Sequence, residues 1–227
     1  MAKVVPLPRR KKPAPAPSSR PRAPRIALIR QFLIVLHETS PLVWRRIQVP
    51  ATYSFWDLHV AIQDAMGWED RHLHEFRLPD PETHETLTIG IPDADGEAPD
   101  RPVLPGWTVA IAPVLDRQDV HAPSMLYAYD FGDAWMHTVI DEGVRPADAR
   151  GAYPRCTEGQ GHCPPEDCGG PYGYAEFVEA MATRTHPRHK ELRAWFGRTR
   201  HFDPLAFDPA AVTFDDPAER WKIAFRS

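Results

Sequence analysis

The sequence is short of several things, and each shortage removes a class of function. No apolar run among the 227 residues approaches the ~20 that a bilayer span needs, so no membrane partner is expected. The basic start leads into prolines and not into the ~7–15 apolar residues of a secretory leader, which points to a cytoplasmic protein. Serine is confined to Ser18, Ser19, Ser40, Ser54, Ser124 and Ser227. Two of these lie in a Pro/Arg-rich stretch, one in a turn, one at a helix cap and one at the last position, while Ser124 follows Pro123 with no basic neighbour. A serine-recombinase nucleophile therefore has no place. His74-Glu75-Phe76-Arg77 spells H-x-x-R, but no Tyr lies beyond Tyr174 and supporting arginines are missing, which removes tyrosine recombination. A G-x-S-x-G elbow and glycine-rich phosphate loops are also absent.

Proline, by contrast, is abundant: 26 residues, about twice the usual ~5% share, which argues against long helices and coiled coils. Seven of them fall in residues 1–25 together with eight Lys or Arg and no acid. Such a stretch cannot offset its ordering entropy by burial, so it reads as a disordered basic arm. The arm suits weak, non-specific phosphate contact with nucleic acid; the plainer reading is a solubilising extension with no partner. Residues 26–227 keep 19 basic and 31 acidic side chains, a net −12, which disfavours a duplex-binding face on the body.

That body reads as a single α+β domain. Ile26–Leu36 is apolar and β-branched, and Val43–Val49 alternates after the turn His37–Pro41, so the two form a hairpin. Ser54 and Asp57 have the spacing of a capping box. Phe55, Leu58, Ile62, Ala65 and Met66 then share one helical face, and Gly67 closes the helix. His72–Leu78 alternates and returns to the sheet; a short strand is expected near Thr86–Ile89. Ser124–Tyr129 and Ala134–Glu142 flank the turn Asp130-Phe131-Gly132-Asp133 as a second hairpin. Helices are expected at Tyr174–Thr183 and Pro187–Phe196, and short segments open at Asp208-Pro209 and Asp216-Pro217. The expected architecture is a mainly antiparallel or mixed sheet over residues 26–142 with one helix packed on it, then a helical last third.

Two groups of residues carry chemistry. All three cysteines, Cys156, Cys163 and Cys168, sit in the Gly/Pro-rich run CTEGQGHCPPEDCGG. With His162, or with His137 from the hairpin, they make a Cys₃His set for Zn²⁺, whose binding would order a loop with little core of its own. The spacing is not the C-x₂-C of a zinc finger, and the same thiols also read as inert packing. The second group is Asp130, Asp133, His137, Glu142, Glu166 and Asp167, with His72 and His74 from another strand. Carboxylates with imidazole bind divalent cations and can activate water for hydrolysis. Singly, each has a plainer use, in Asx turns, helix caps or core hydrogen bonds.

Several stretches together resemble the plasmid pRiA4b Orf-three-like family, also grouped as passenger proteins of insertion elements. They are PLVWRRI at 41–47, FWDLH at 55–59, MGW at 66–68, HLHEF at 72–76, YAYDFGDAWMH at 127–137, YPRC at 153–156 and PPEDCGG at 164–170, with Gly173-Tyr174 after them. The resemblance spans about residues 28–208 and implies an α+β fold and a link to plasmids and mobile elements. Two functions follow as expectations. The first is a non-catalytic accessory or binding protein whose Cys-rich, zinc-stabilised loop shapes a recognition surface. The second is a metal-dependent hydrolase or nuclease using the Asp/His/Glu group.

Overall fold

The computed structural model describes residues 27–80, 82–83, 85–92, 102–118 and 123–225. The arm expected at residues 1–25 lies outside them. Among the described residues eight strands form one sheet: β1 (Leu28–Leu36), β2 (Trp44–Pro50), β3 (His74–Pro79), β4 (Thr86–Gly90), β5 (Val103–Pro105), β6 (Ser124–Tyr129), β7 (Trp135–Pro146) and β8 (Arg155–Gln160). Their order is β5-β4-β3-β6-β7-β1-β2-β8. The pairings are antiparallel save β4 with β5, which is parallel. The fold is α+β, with helices concentrated in the last third.

The alternation legible in the strands becomes a layered face. Register aligns Phe76 with Tyr127, Tyr127 with His137 and His137 with Leu36, while His74 aligns with Tyr129 and Tyr129 with Trp135. All of these are buried. They make two rows of large side chains, one across β3, β6, β7 and β1 and the other across β3, β6 and β7, the closely spaced cross-strand contacts that stabilise a sheet.

Helix α1 (Phe55–Met66) lies on that face. Its capping box is formed as expected, Ser54 Oγ accepting from Asp57 N and the Asp57 carboxylate accepting from Ser54 N. Gly67 ends it at φ 87°, a left-handed conformation that costs a glycine little. Phe55, Leu58, Ile62, Ala65 and Met66 join the core, and His59 and Gln63 share the buried side. Arg45 explains why β2, β8 and α1 stay together. Its buried guanidinium donates to the carbonyls of Ala65, Trp44, Gln160 and Gly161, so the charge is taken up by backbone oxygens.

Three further helices complete the body: α3 (Gly170–Ala182), α4 (His189–Phe196) and α5 (Pro217–Ala224), with the short α2 (Ile111–Leu115) between β5 and β6. Phe177, Phe196 and Phe202 pack edge to face where α3 meets α4. Arg220 of α5 pairs with Asp64 of α1, and Trp56 donates to the Pro217 carbonyl. The sheet extends past residue 142: the Cys156 segment, expected as loop, is the edge strand β8, with Cys156 opposite Ile47.

Candidate metal centre

Three connecting segments meet at one end of the sheet: the stretch between α1 and β3, the tip of the β6–β7 hairpin and the loop before α3. Register brings the first two together. Because His74 pairs with Tyr129, the following Asp130 falls beside the residues preceding β3, and its N–H donates to the Leu73 carbonyl at 3.0 Å. Trp68 draws in the third segment, donating to Pro164 O at 2.9 Å while its ring stacks on Tyr129.

His72 Nε2 stands at the centre. It lies 2.9 Å from Asp167 Oδ1, 3.4 Å from Asp130 Oδ2 and 3.9 Å from Glu166 Oε2. Two of these carboxylates are anchored by one oxygen and aimed with the other. Asp130 Oδ1 accepts from Gly132 N and Asp133 N, an Asx turn, which leaves Oδ2 to face His72. Glu166 Oε1 accepts from Glu69 N at 2.8 Å and from the Tyr129 hydroxyl at 2.9 Å, which leaves Oε2. Burial and the nearby Glu166 carboxylate push the Tyr129 hydroxyl well up from its ordinary value, so it stays a donor. Asp130 and Asp167 both hold positive φ, at 52° and 57°, a conformation Asp tolerates better than most side chains. Asp133 works one step away: its carboxylate accepts from Gly169 N, and a Cβ on Gly170 would run into its carbonyl oxygen, so the hairpin tip and the loop close on each other.

His72, Asp130 and Asp167 each offer a ligand atom within 4.8 Å of the others. Asp130 is nearly buried while His72 and Asp167 reach solvent. Their rim borders an open cleft of about 710 Å³ lined by Arg71, Glu166, Asp167, Trp195 and Arg200 among others. The arrangement can chelate a divalent cation and leave it open to water and substrate.

The remaining expected residues go elsewhere. His137 is fully buried, with Nδ1 3.2 Å from Tyr127 O, and burial pushes its pKa down to about 3. Glu142 accepts from Arg46 at 2.8 Å and from Gln31, on the β7 side turned away from the core. His74 is buried in a second group, with His59 and Asp70.

The Cys-rich zinc loop is overturned. Among the described residues, the groups able to hold a metal are the two built from His and Asp, and neither contains a sulfur. Cys156 is tied into β8, its thiol donating to Glu158 O at 3.4 Å, and Cys163 belongs to the hydrophobic core. Burial raises all three thiols, Cys168 to about 12. His162 sits edge-on to Phe196 and Phe202 with Nδ1 2.7 Å from Cys163 O, a packing role. Closeness along the chain did not become convergence in space.

His59 and Asp70 were not singled out by sequence reasoning. The available signal was a histidine beside Leu58 on the buried side of an otherwise apolar helix; nothing local pointed to Asp70.

An eight-stranded α+β sheet with a His/carboxylate cluster at one end thus describes the molecule. The chain belongs to the plasmid pRiA4b ORF-3-like protein family, whose pattern it matches over residues 29–211. It is 37% identical over 198 residues to the uncharacterized protein y4hQ of Sinorhizobium fredii (strain NBRC 101917 / NGR234), spanning 86% of this chain and 95% of that one. The crystal structure of MM3350, a protein of unknown function from Methanosarcina mazei Go1, superposes with a TM-score of 0.72 at 35% identity. That match covers 84% of this chain and all (100%) of the other.

Proposed function

We propose that the protein is a metal-dependent hydrolase in which His72, Asp130 and Asp167 hold one divalent cation and Glu166 is the general base. The observation that carries this reading is the aim of the carboxylates: Asp130 and Glu166 each fix one oxygen on protein donors and leave the other facing His72 Nε2. Such preorganisation concentrates negative charge on one point, with Arg71 reaching only the outer Asp167 oxygen, Oδ2, at 3.8 Å. Imidazole with carboxylates suits Zn²⁺ or Mn²⁺. A bound cation of this kind supplies a water acidified to a pKa of about 7. Glu166, held by Tyr129 and Glu69 N, is the carboxylate placed to take that proton.

The cleft supplies the substrate side. Its volume of about 710 Å³ suits a single small molecule or a short strand segment rather than a duplex. Arg71 and Arg200 line it, Trp195 offers a half-exposed ring, and the body's charge of −12 opposes broad phosphate contact. Among hydrolysable bonds a phosphodiester fits best, because Arg71 and Arg200 line the cleft and residues 1–25 add eight positive charges able to hold a phosphate chain. In this reading the enzyme is cytoplasmic, in keeping with three cysteines left free. No helix among the described residues is long and apolar enough to cross a membrane.

The test is turnover of bis(p-nitrophenyl) phosphate and of a short single-stranded oligonucleotide with Zn²⁺ or Mn²⁺. Metal-dependent hydrolysis that falls at least about a hundredfold in Asp130→Ala supports the proposal. Protein that binds neither cation at His72 and hydrolyses neither substrate refutes it.

A further inference from the structure

Behind the open cluster lies a second meeting of histidine and carboxylate that substrate cannot reach. His59 comes from the middle of α1, His74 from the first position of β3 and Asp70 from the segment between them. His59 is 0% exposed, His74 2% and the Asp70 side chain 6%. A ring nitrogen from each histidine and an oxygen of Asp70 lie within 4.8 Å of one another.

Two atoms in this group lack partners. His74 Nδ1 and Asp70 Oδ2 are buried and accept or donate no hydrogen bond. An unmet buried polar group is destabilising, and two within one small group need a physical explanation. The apolar alternative is available at position 74, where a phenylalanine could stack on His59 without orphaning a nitrogen. The two rings are already face to face, 3.4 Å between centroids and 7° from parallel.

The surroundings are those of a supported ligand set. His59 Nδ1 lies 2.8 Å from the Tyr127 hydroxyl, which in turn accepts from Gln63 Nε2 at 2.9 Å. Gln63 Oε1 accepts from Asp70 N at 3.2 Å, so one glutamine steadies both the histidine's partner and the aspartate's backbone. Metal-bound imidazoles usually have their second nitrogen held in this way. Donation from Nδ1 to the Tyr127 hydroxyl would leave Nε2, which faces Asp70 Oδ1 at 2.8 Å, as the ligand atom once a cation replaces the proton between them. Asp70 holds φ 57°; three of the five positive-φ residues other than glycine among the described residues are aspartates of the two His/Asp groups.

We propose that His59, Asp70 and His74 form a buried metal site, for Zn²⁺ or a cation of similar size and softness, that clamps α1 to β3. Two imidazoles and one carboxylate are zinc ligands by type, and closure from solvent makes the site structural. The proposal does not rest on the hydrolase reading, which concerns the open cluster.

The experiment uses the full chain carrying Asp130→Ala, so that the open site is disabled. It is refolded from denaturant with and without Zn²⁺, because a closed site fills as the fold forms. One equivalent of zinc is expected after gel filtration, with a melting temperature raised by about 5–10 °C when zinc exceeds its Kd a hundredfold. Adding His74→Phe or the isosteric Asp70→Asn should abolish both effects; the phenylalanine variant, relieved of its orphan nitrogen, remains folded by circular dichroism. Cobalt in place of zinc should give visible d–d absorption that the same substitutions remove. The proposal is overturned if the Asp130→Ala chain takes up no zinc, or if uptake survives His74→Phe and Asp70→Asn. The single variant His74→Phe reads the open site by itself, so failure there counts against the hydrolase reading alone.

Discussion

His72 and His74 stand on either side of Leu73, yet they inhabit opposite environments. His72 is part-exposed among three carboxylates, at the rim of a cleft. His74 is sealed between α1 and the sheet with one carboxylate and a second imidazole. The difference is solvent. Water at the first group screens its charges and admits a substrate, so a cation there would keep a free coordination position. Exclusion of water at the second makes any unpaired atom expensive and any ion structural.

Asp130 offers the sharpest way to break the contrast. Asparagine at 130 keeps the Oδ1 acceptor of the Asx turn and tolerates φ 52°, but removes the charge facing His72. Asp130→Asn should therefore leave the unfolding midpoint nearly unchanged while metal-dependent turnover drops at least about a hundredfold. Equal activity would show that the open group is only a turn with neighbours.

His137 serves as a control that belongs to neither group. Its folded pKa of about 3 lies below the ~6.5 of an unfolded histidine, so the unfolded chain binds the extra proton first. Its contribution is complete above about pH 6.5 and is lost as pH falls, by about 2 kcal/mol at pH 5. Denaturant unfolding at pH 7 and pH 5 should show this slope, and His137→Phe should flatten it by about one proton.

Tyr129→Phe loosens Glu166 without touching a ligand. Loss of the hydroxyl bonds to Glu166 Oε1 and Arg71 N should lower turnover about tenfold and leave metal stoichiometry intact. The smallest effect is expected at the cysteines. Cys156→Ser with Cys168→Ser should leave zinc content unchanged and shift stability by about 1 kcal/mol or less, measured by metal analysis and thermal melting. Lost zinc in that variant would restore the sulfur site.

Much of the scaffold was legible because its rules are local. The Ser54/Asp57 box and Gly67 bounded α1 at Phe55–Met66, and the alternation of Trp135, His137, Val139 and Asp141 marked the buried side of β7. Those patterns need only near neighbours and a period. The cysteine segment misled for the same reason: Gly and Pro in its run suggest a loop, whereas pairing of β8 with the edge of β2 is a long-range matter. Six of the eight acidic and histidine candidates divide between the two groups or clamp them: His72, Asp130, Glu166 and Asp167 at the open one, Asp133 beside it, His74 in the buried one. His137 and Glu142 lie on β7, away from both groups, His137 on its buried side and Glu142 on the other.

Chain chemistry alone determined the periods, the caps, the acidic body and the supply of imidazoles and carboxylates, since each depends on residue type and spacing. Which of those groups share a point in space was decided by the register of β3 on β6 and by Trp68 drawing the 164–169 loop onto Tyr129. Such contacts join residues 49 to 96 positions apart, and no local rule carries information over that distance.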